Sequence, residues 1–178
     1  MSWDNNNLAC ILVFPPWQKR GLGALLMGIS YEISRREGIL GGPEKPISDL
    51  GKKGYKRFWA GEIARWILSL DVKAADGELI IDIDDCSKAT WIVPEDCLVV
   101  LREMGVVEDA GVGPGKRELP KEGEEEPPRK EVQRVRISKL AVRNWVQANR
   151  ISLERTCDPS GFAEGYAIKK EAVEDEEP

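Results

Sequence analysis

LACILVFPPWQKRGLGALL, residues 8–26, is the stretch whose reading decides the fold. Its first part, Leu8 to Phe14, is a short continuous apolar run, which predicts a buried strand. Pro15 and Pro16 end that run. Farther on, Leu22, Leu25, Leu26, Ile29 and Ile33 recur at three- and four-residue steps, which predicts an amphipathic helix over 22–37. Between the two lie adjacent cations, Lys19 and Arg20, and two near-adjacent glycines, Gly21 and Gly23. Strand, glycine turn, helix is a common cradle for phosphate. The free N–H groups of a helix start point outward with partial positive charge, and glycines let the backbone close on an anion. A glycine turn carrying two solvated cations is the other reading that these residues leave open.

The chain has 178 residues, 42% of them hydrophobic, enough for one domain or two small ones with a core. Charge divides unevenly. Residues 1–70 hold 10 Lys/Arg against 6 Asp/Glu, and residues 71–178 hold 16 against 25. A basic front suits an anionic ligand, and an acidic rear argues against direct DNA binding. There is no histidine, and Cys10, Cys86, Cys97 and Cys157 form no Cys-x-x-Cys pair. No metal site is expected from that donor set, and the spacing points to a reducing compartment rather than to disulfides. No basic segment precedes Leu8, and the apolar run is too short to cross a bilayer, so neither signal peptide nor membrane partner is expected. The strand begins so soon after Met1 that the chain reads as starting inside a domain.

After the first helix, Gly38, Gly41, Gly42, Pro43 and Pro46 break the pattern. Ser48-Asp49 is a helix cap, with Leu50, Phe58, Ile63, Trp66 and Leu70 as the inner face of the helix it opens. Asp71–Gly77 reads as a linker. Residues 79–107 predict a short apolar segment, a helix near 82–89 and another over 94–104, opened by Pro94-Glu95-Asp96 and stopped by Gly105. Residues 109–131, rich in Gly, Pro and charge, read as a disordered insertion. A strand at Val132–Ile137, a helix at Ser138–Ala148 and an acidic tail complete the chain. Cys86, Cys97 and Cys157 read as structural, and Trp59, Trp66, Trp91 and Trp145 as core or hinge aromatics.

Two phosphate motifs fail. Gly23 to Ser30 has P-loop spacing, but Ile29 stands where the lysine is required. Gly21-Leu22-Gly23 lacks the third glycine of the dinucleotide fingerprint. What survives, Gln-basic-Arg-Gly-x-Gly after a strand, resembles the coenzyme A pyrophosphate loop of GNAT-like acetyltransferases. NLACILVFPPWQKRGLGALL, then SYEISRREG, GGPEKPISDLG and GYKRFW, resembles the MYST family of histone acetyltransferases almost continuously from Asn7 to Trp59. NRISLERTCDPSGFAEGY is similar to a fungal, silencing-associated branch. The family's zinc finger and first core strands have no counterpart in these residues, so the resemblance implies an N-terminally truncated chain.

The resemblance implies a site. Ile11, Leu12 and Val13 would pair through their main chain with the pantetheine arm of acetyl-CoA. The loop Gln18, Lys19, Arg20, Gly21, Leu22 and Gly23, with Ala24 and Leu25 opening the helix, would hold the pyrophosphate. Lys19 stands where Arg is usual and keeps the charge without the fork. Ser48 and Arg57 would also reach the cofactor, although Ser48 alone reads as an N-cap and Arg57 alone as solvated surface. Glu44 aligns with the general base. The chemistry needs one, because only roughly one lysine in 2,500 is neutral at pH 7 and only the neutral amine attacks a thioester. Cys10 aligns with the active-site cysteine. It either carries the acetyl group or lines the site while lysine attacks directly, and the lack of any histidine to activate the thiol favours the second.

The expected fold is α/β of the α+β kind. Residues 1–70 form part of a GNAT-like acyl-CoA N-acyltransferase core, 71–150 a winged-helix-like region and 151–178 an extension with an acidic tail. The expected function is nuclear lysine N-acetyl transfer to a histone tail within a chromatin-modifying complex. The alternative is a non-catalytic chromatin or complex-assembly module that keeps coenzyme A binding or only the winged-helix part.

Overall fold

The structure is a computed structural model that describes residues 6–71, 78–114 and 131–167. It is a mixed α/β arrangement of small sheets and helices. Strand β1 (Asn6–Leu8) pairs in parallel with β2 (Gly42–Pro43), Asn6 opposite Gly42 and Leu8 opposite Pro43. Between them lie a 3-10 turn at Pro15–Trp17 and helix α1 (Leu22–Arg36), close to its predicted bounds.

The buried strand predicted over 8–14 does not form. β1 stops at Leu8, Cys10 is exposed, and Leu12 is 75% exposed. Its neighbour runs out: β2 is two residues long and ends in Pro43, which has no N–H for a ladder. Apolar character alone does not make a strand without backbone to pair with.

Helix α2 (Asp49–Ser69) is the spine of the molecule. Ser48 caps it, its hydroxyl accepting from the Gly51 N–H at 3.1 Å. Ile63 and Ile67 are fully buried, each contributing about 1.5–3 kcal/mol. On one side α2 meets α1. The Trp59 indole donates to the Tyr31 hydroxyl at 2.7 Å, and the rings of Tyr31 and Phe58 lie 5.3 Å apart. Leu50, expected on the inner face, is 82% exposed instead. At 3.6 residues per turn it points about 140° away from Ile63.

Behind α2 come β3 (Glu78–Asp82), α3 (Ile83–Thr90), α4 (Pro94–Met104), β4 (Val107–Pro114), β5 (Glu131–Ser138) and α5 (Lys139–Ala148). The two predicted helices before Gly105 are present, and Gly105 ends α4 in the left-handed region at φ +64°. The strands form one antiparallel sheet in the order β3-β5-β4, with Ile81 opposite Val135. Val132, Val135 and Ile137 turn inward. The insertion predicted at 109–131 is corrected at both ends. Residues 109–114 pair with β5 through a bulge between Asp109 and Val112, and Glu131 belongs to β5. The open edge of β5 gives that glycine-containing stretch a template, which local composition does not register. Residues 115–130, most of the linker and the acidic tail lie outside the described residues.

Helix α5 lies antiparallel to α2 and is fastened at both ends. The Lys139 ammonium donates to the carbonyls of Leu68, at 3.1 Å, and Leu70, satisfying the C-terminus of α2. The Arg57 guanidinium donates to the carbonyls of Asn149, at 3.1 Å, and Arg150, doing the same for α5.

Residues 151–167 fold back along α1 and α2. A Cβ on Gly28 would stand 2.5 Å from the Thr156 hydroxyl and 3.0 Å from Cys157 Cβ. A Cβ on Gly61 would stand 3.2 Å from the Ser152 carbonyl. Glycines inside helices permit this close approach. Arg36 closes the contact. Its guanidinium donates to the carbonyls of Pro159 at 2.8 Å and Tyr166 at 3.3 Å, lies 4.5 Å from the Phe162 ring centroid, and pairs with Glu32 at 3.0 Å.

Candidate active site

The N-terminus of α1 is built to be open. Gly21 is its N-cap at φ +81°, a conformation that favours glycine, and no side chain caps the helix among the described residues. The first intrahelical bond runs from the Leu25 N–H to the Gly21 carbonyl at 3.0 Å. The N–H groups of Leu22, Gly23 and Ala24 therefore have no intrahelical acceptor. The first turn contains no acid, and Lys19 and Arg20 stand exposed before it, Arg20 over the Trp17 ring at 5.3 Å. A Cβ on Gly21 or Gly23 would meet nothing within 4 Å. Charge, donors and room on one side fit a phosphate group.

The loop before it is pinned. Gln18 folds back and donates to the Val13 carbonyl at 3.0 Å. Ile11 and Val13 are half-buried, Leu12 is exposed, and no strand pairs with these three residues among the described residues. Leu25 is partly exposed on the first turns of α1.

The two residues expected to do chemistry are brought toward each other by the backbone. The Glu44 N–H donates to the Leu8 carbonyl at 3.0 Å, two residues before Cys10. Both Glu44 and Cys10 are exposed. Ser48 lies four residues past Glu44 and caps α2 while remaining exposed. Arg57 is not brought to the loop, because its donors serve the end of α5. Cys86 and Cys97 are wholly buried, and Cys157 half-buried.

Two features escaped the sequence reading. Asp96, read only as an acid at a helix opening, is 9% exposed and lies against the loop that carries Glu44. A Cβ on Gly42 would be 3.8 Å from its Oδ2, and Lys45 Nζ is 4.0 Å from its Oδ1. Burial raises the Asp96 carboxyl above the usual range, Lys45 offsets part of this, and Glu95 adds to it. The second feature is a cleft of about 280 Å³ between α1, α2 and the returning segment, lined by Glu32, Glu62, Arg65, Trp66, Arg155 and Cys157 among others. Burial pushes up the Glu62 carboxyl, and Arg65 and then Arg155 counter it. Glycines at 28 and 61 were the available sign of the segment that forms one wall.

Residues 1–139 match the MOZ/SAS family. The chain belongs to that family. It is 41% identical over 106 residues to the histone acetyltransferase MOF of Drosophila melanogaster, which covers 60% of this chain and 12% of that protein. It is 36% identical over 107 residues to the histone acetyltransferase SAS2 of Saccharomyces cerevisiae, covering 60% and 31%. It is 59% identical over 58 residues to the histone acetyltransferase esa1 of Aspergillus fumigatus, covering 33% and 12%. The matched part thus spans less than a third of each of these relatives.

Proposed function

We propose that this chain takes part in acetyl transfer from acetyl-CoA to a lysine of a histone tail, in the nucleus and within a chromatin-modifying complex. The observation that carries the reading is the backbone bond from Glu44 to Leu8, which holds the main chain of Glu44 against the segment that runs through Cys10 to the open N-terminus of α1. Family membership and relatives named histone acetyltransferases support it. So does the acidic rear, where 25 acids outnumber 16 bases over residues 71–178, since it favours a basic peptide.

Acetyl-CoA supplies an acetyl group activated as a thioester. Lys19, Arg20 and the amides from Gly21 to Ala24 bind its pyrophosphate, and the main chain of Ile11–Val13 aligns its arm. Glu44 accepts the proton from the substrate ammonium, leaving a neutral amine that attacks the thioester carbon; the C–S bond breaks, and coenzyme A leaves as its thiol with the second amine proton. Cys10 lines the site in this direct route. Residues 1–70 form part of the acyltransferase core. Residues 71–150 form a winged-helix-like unit, a reading supported by the order β3-α3-α4-β4-β5 with the first strand joined to the last.

Gly23→Val tests the binding site, because a Cβ at this position would meet nothing within 4 Å. It should leave the thermal melt unchanged and abolish coenzyme A binding by calorimetry; unchanged affinity would refute the loop assignment. Glu44→Gln should keep that affinity and cut turnover on a histone-tail peptide by roughly two to four orders of magnitude at pH 7. The deficit should shrink as pH rises and lysine loses its own proton. Coenzyme binding without any turnover in the parent chain would favour the non-catalytic module.

A further inference from the structure

Asp96 sits at the third position of α4, far along the chain from the loop at 42–45, yet its carboxylate faces that loop. Oδ1 lies 4.0 Å from Lys45 Nζ. Oδ2 is buried and accepts no hydrogen bond among the described residues. A buried acceptor without a donor is costly to keep. Other titratable groups near it give it no stronger hold: Glu95 on its own helix repels it, and Tyr31 on α1, its pKa raised by burial, is neutral at pH 7. The lone cation facing Asp96 among these groups is Lys45, the residue immediately after Glu44.

We propose that Asp96 is a positioning residue for Glu44: from the first turn of α4 its carboxylate holds Lys45 and steadies the 42–45 stretch on which Glu44 is carried. The proposal rests on the reading of Glu44 as the general base. The stretch is then gripped from two sides. On one side the Glu44 N–H is held by the Leu8 carbonyl, and on the other Gly42 and Lys45 lie against Asp96. Gly42 and Lys45 bracket Pro43 and Glu44, so the grip fixes where the base stands. A carboxylate must be held to within a fraction of an ångström to take a proton efficiently. The attraction also occupies an ammonium that would otherwise be free to pair with Glu44 and weaken it as a base.

Amide hydrogen exchange on the full chain tests this without relying on turnover. Asp96→Asn keeps the shape and removes the charge. It should speed exchange of the Glu44 amide about two- to fivefold, as expected for loss of one partly exposed ion pair, and leave the Ile63 and Ile67 amides unchanged. Lys45→Met should give the same change, and the double variant no more than either. Equal acceleration at Glu44 and in the α2 core would reduce Asp96 to a structural role and overturn the proposal. So would an unchanged Glu44 amide, or additive effects in the double variant. On a histone-tail peptide Asp96→Asn should lower kcat and leave KM for acetyl-CoA unchanged; a loosened Glu44 amide with unchanged kcat refutes the positioning of the base. If Glu44→Gln itself keeps full activity while the exchange pattern holds, the general-base reading fails and the coupling of Asp96 to the loop stands.

Discussion

Arg36→Met should release the returning segment without unfolding the rest. The guanidinium makes two charge-assisted bonds to main-chain carbonyls, at 2.8 Å to Pro159 and 3.3 Å to Tyr166, and lies over Phe162 at 4.5 Å. Bonds to a charged donor are worth about 1.5–3 kcal/mol each, and the ring contact about 0.5–1 kcal/mol. The pair with Glu32 is internal to α1 and does not hold the segment. Met keeps the aliphatic stem, so packing along α1 survives. These terms are not additive, and the longer bond is weak, so the docking should lose about 2–3 kcal/mol. That corresponds to roughly a 30- to 150-fold rise in the undocked fraction. Arg155 lies in the segment and gives trypsin a cut site once it lifts away. Limited proteolysis under conditions where reclosing outpaces cleavage should show cutting after Arg155 faster by that factor. Circular dichroism should keep its helical signal. Arg36→Lys should fall between, because an ammonium reaches one carbonyl but not both. Unchanged proteolysis in Arg36→Met would refute the reasoning and assign the docking to the close approach at Gly28 and Gly61 and to Arg65, which donates to the Glu154 carbonyl at 3.4 Å.

Gly28→Val should destabilise the same contact, because its Cβ would lie 2.5 Å from the Thr156 hydroxyl; a melt lowered by the equivalent of about 1–3 kcal/mol is expected. Ser48→Ala should cost about 1 kcal/mol through the lost cap. Ser48→Asp should keep the cap and the melt but weaken coenzyme A binding, and equal affinity would restrict Ser48 to capping. Tyr55 is buried with its hydroxyl unbonded among the described residues, and burial pushes its pKa up to about 12 from an ordinary value near 10. The folded state therefore holds that proton more tightly than the unfolded chain. Stability from this group is intact below about pH 10 and falls as pH climbs toward 12. Tyr55→Phe should flatten that alkaline decline in urea titrations and leave stability at pH 7 equal or slightly higher.

Helices were legible because their signals are local. Ser48 and Ser138 both accept from the third residue of the helix they open, and Pro94 and Gly105 bracket α4. Spacing over 22–36 carried α1 for the same reason. What was not legible depended on partners distant in sequence. Leu8–Phe14 reads as a strand until its neighbour proves two residues long. Residues 109–114 read as loop until β5 supplies an edge. Arg57 alone looks like solvated surface, because its acceptors are carbonyls of Asn149 and Arg150. A main-chain carbonyl is common to every residue and leaves no mark in a sequence. The docking of 151–167 through Pro159 and Tyr166 was hidden in the same way. At the site, spacing pointed to the loop before α1 and resemblance to Glu44 and Cys10, whereas nothing pointed to Asp96, since its relation to Lys45 exists only once α4 is packed.

Helix α2 touches α1, α3, α4 and α5, and its fully buried isoleucines serve the front and the rear of the molecule at once. Front and rear are consequently not separable possessions. A gene rearrangement that exchanged residues 78–150 for another helical unit would also strip one flank from α2, and with it the footing of Ser48 and the loop before it. Variation in the rear would be inherited at the front as altered precision rather than as altered chemistry. The two parts are thus bound to change together, and a single calorimetric transition is the expected mark of that shared fate.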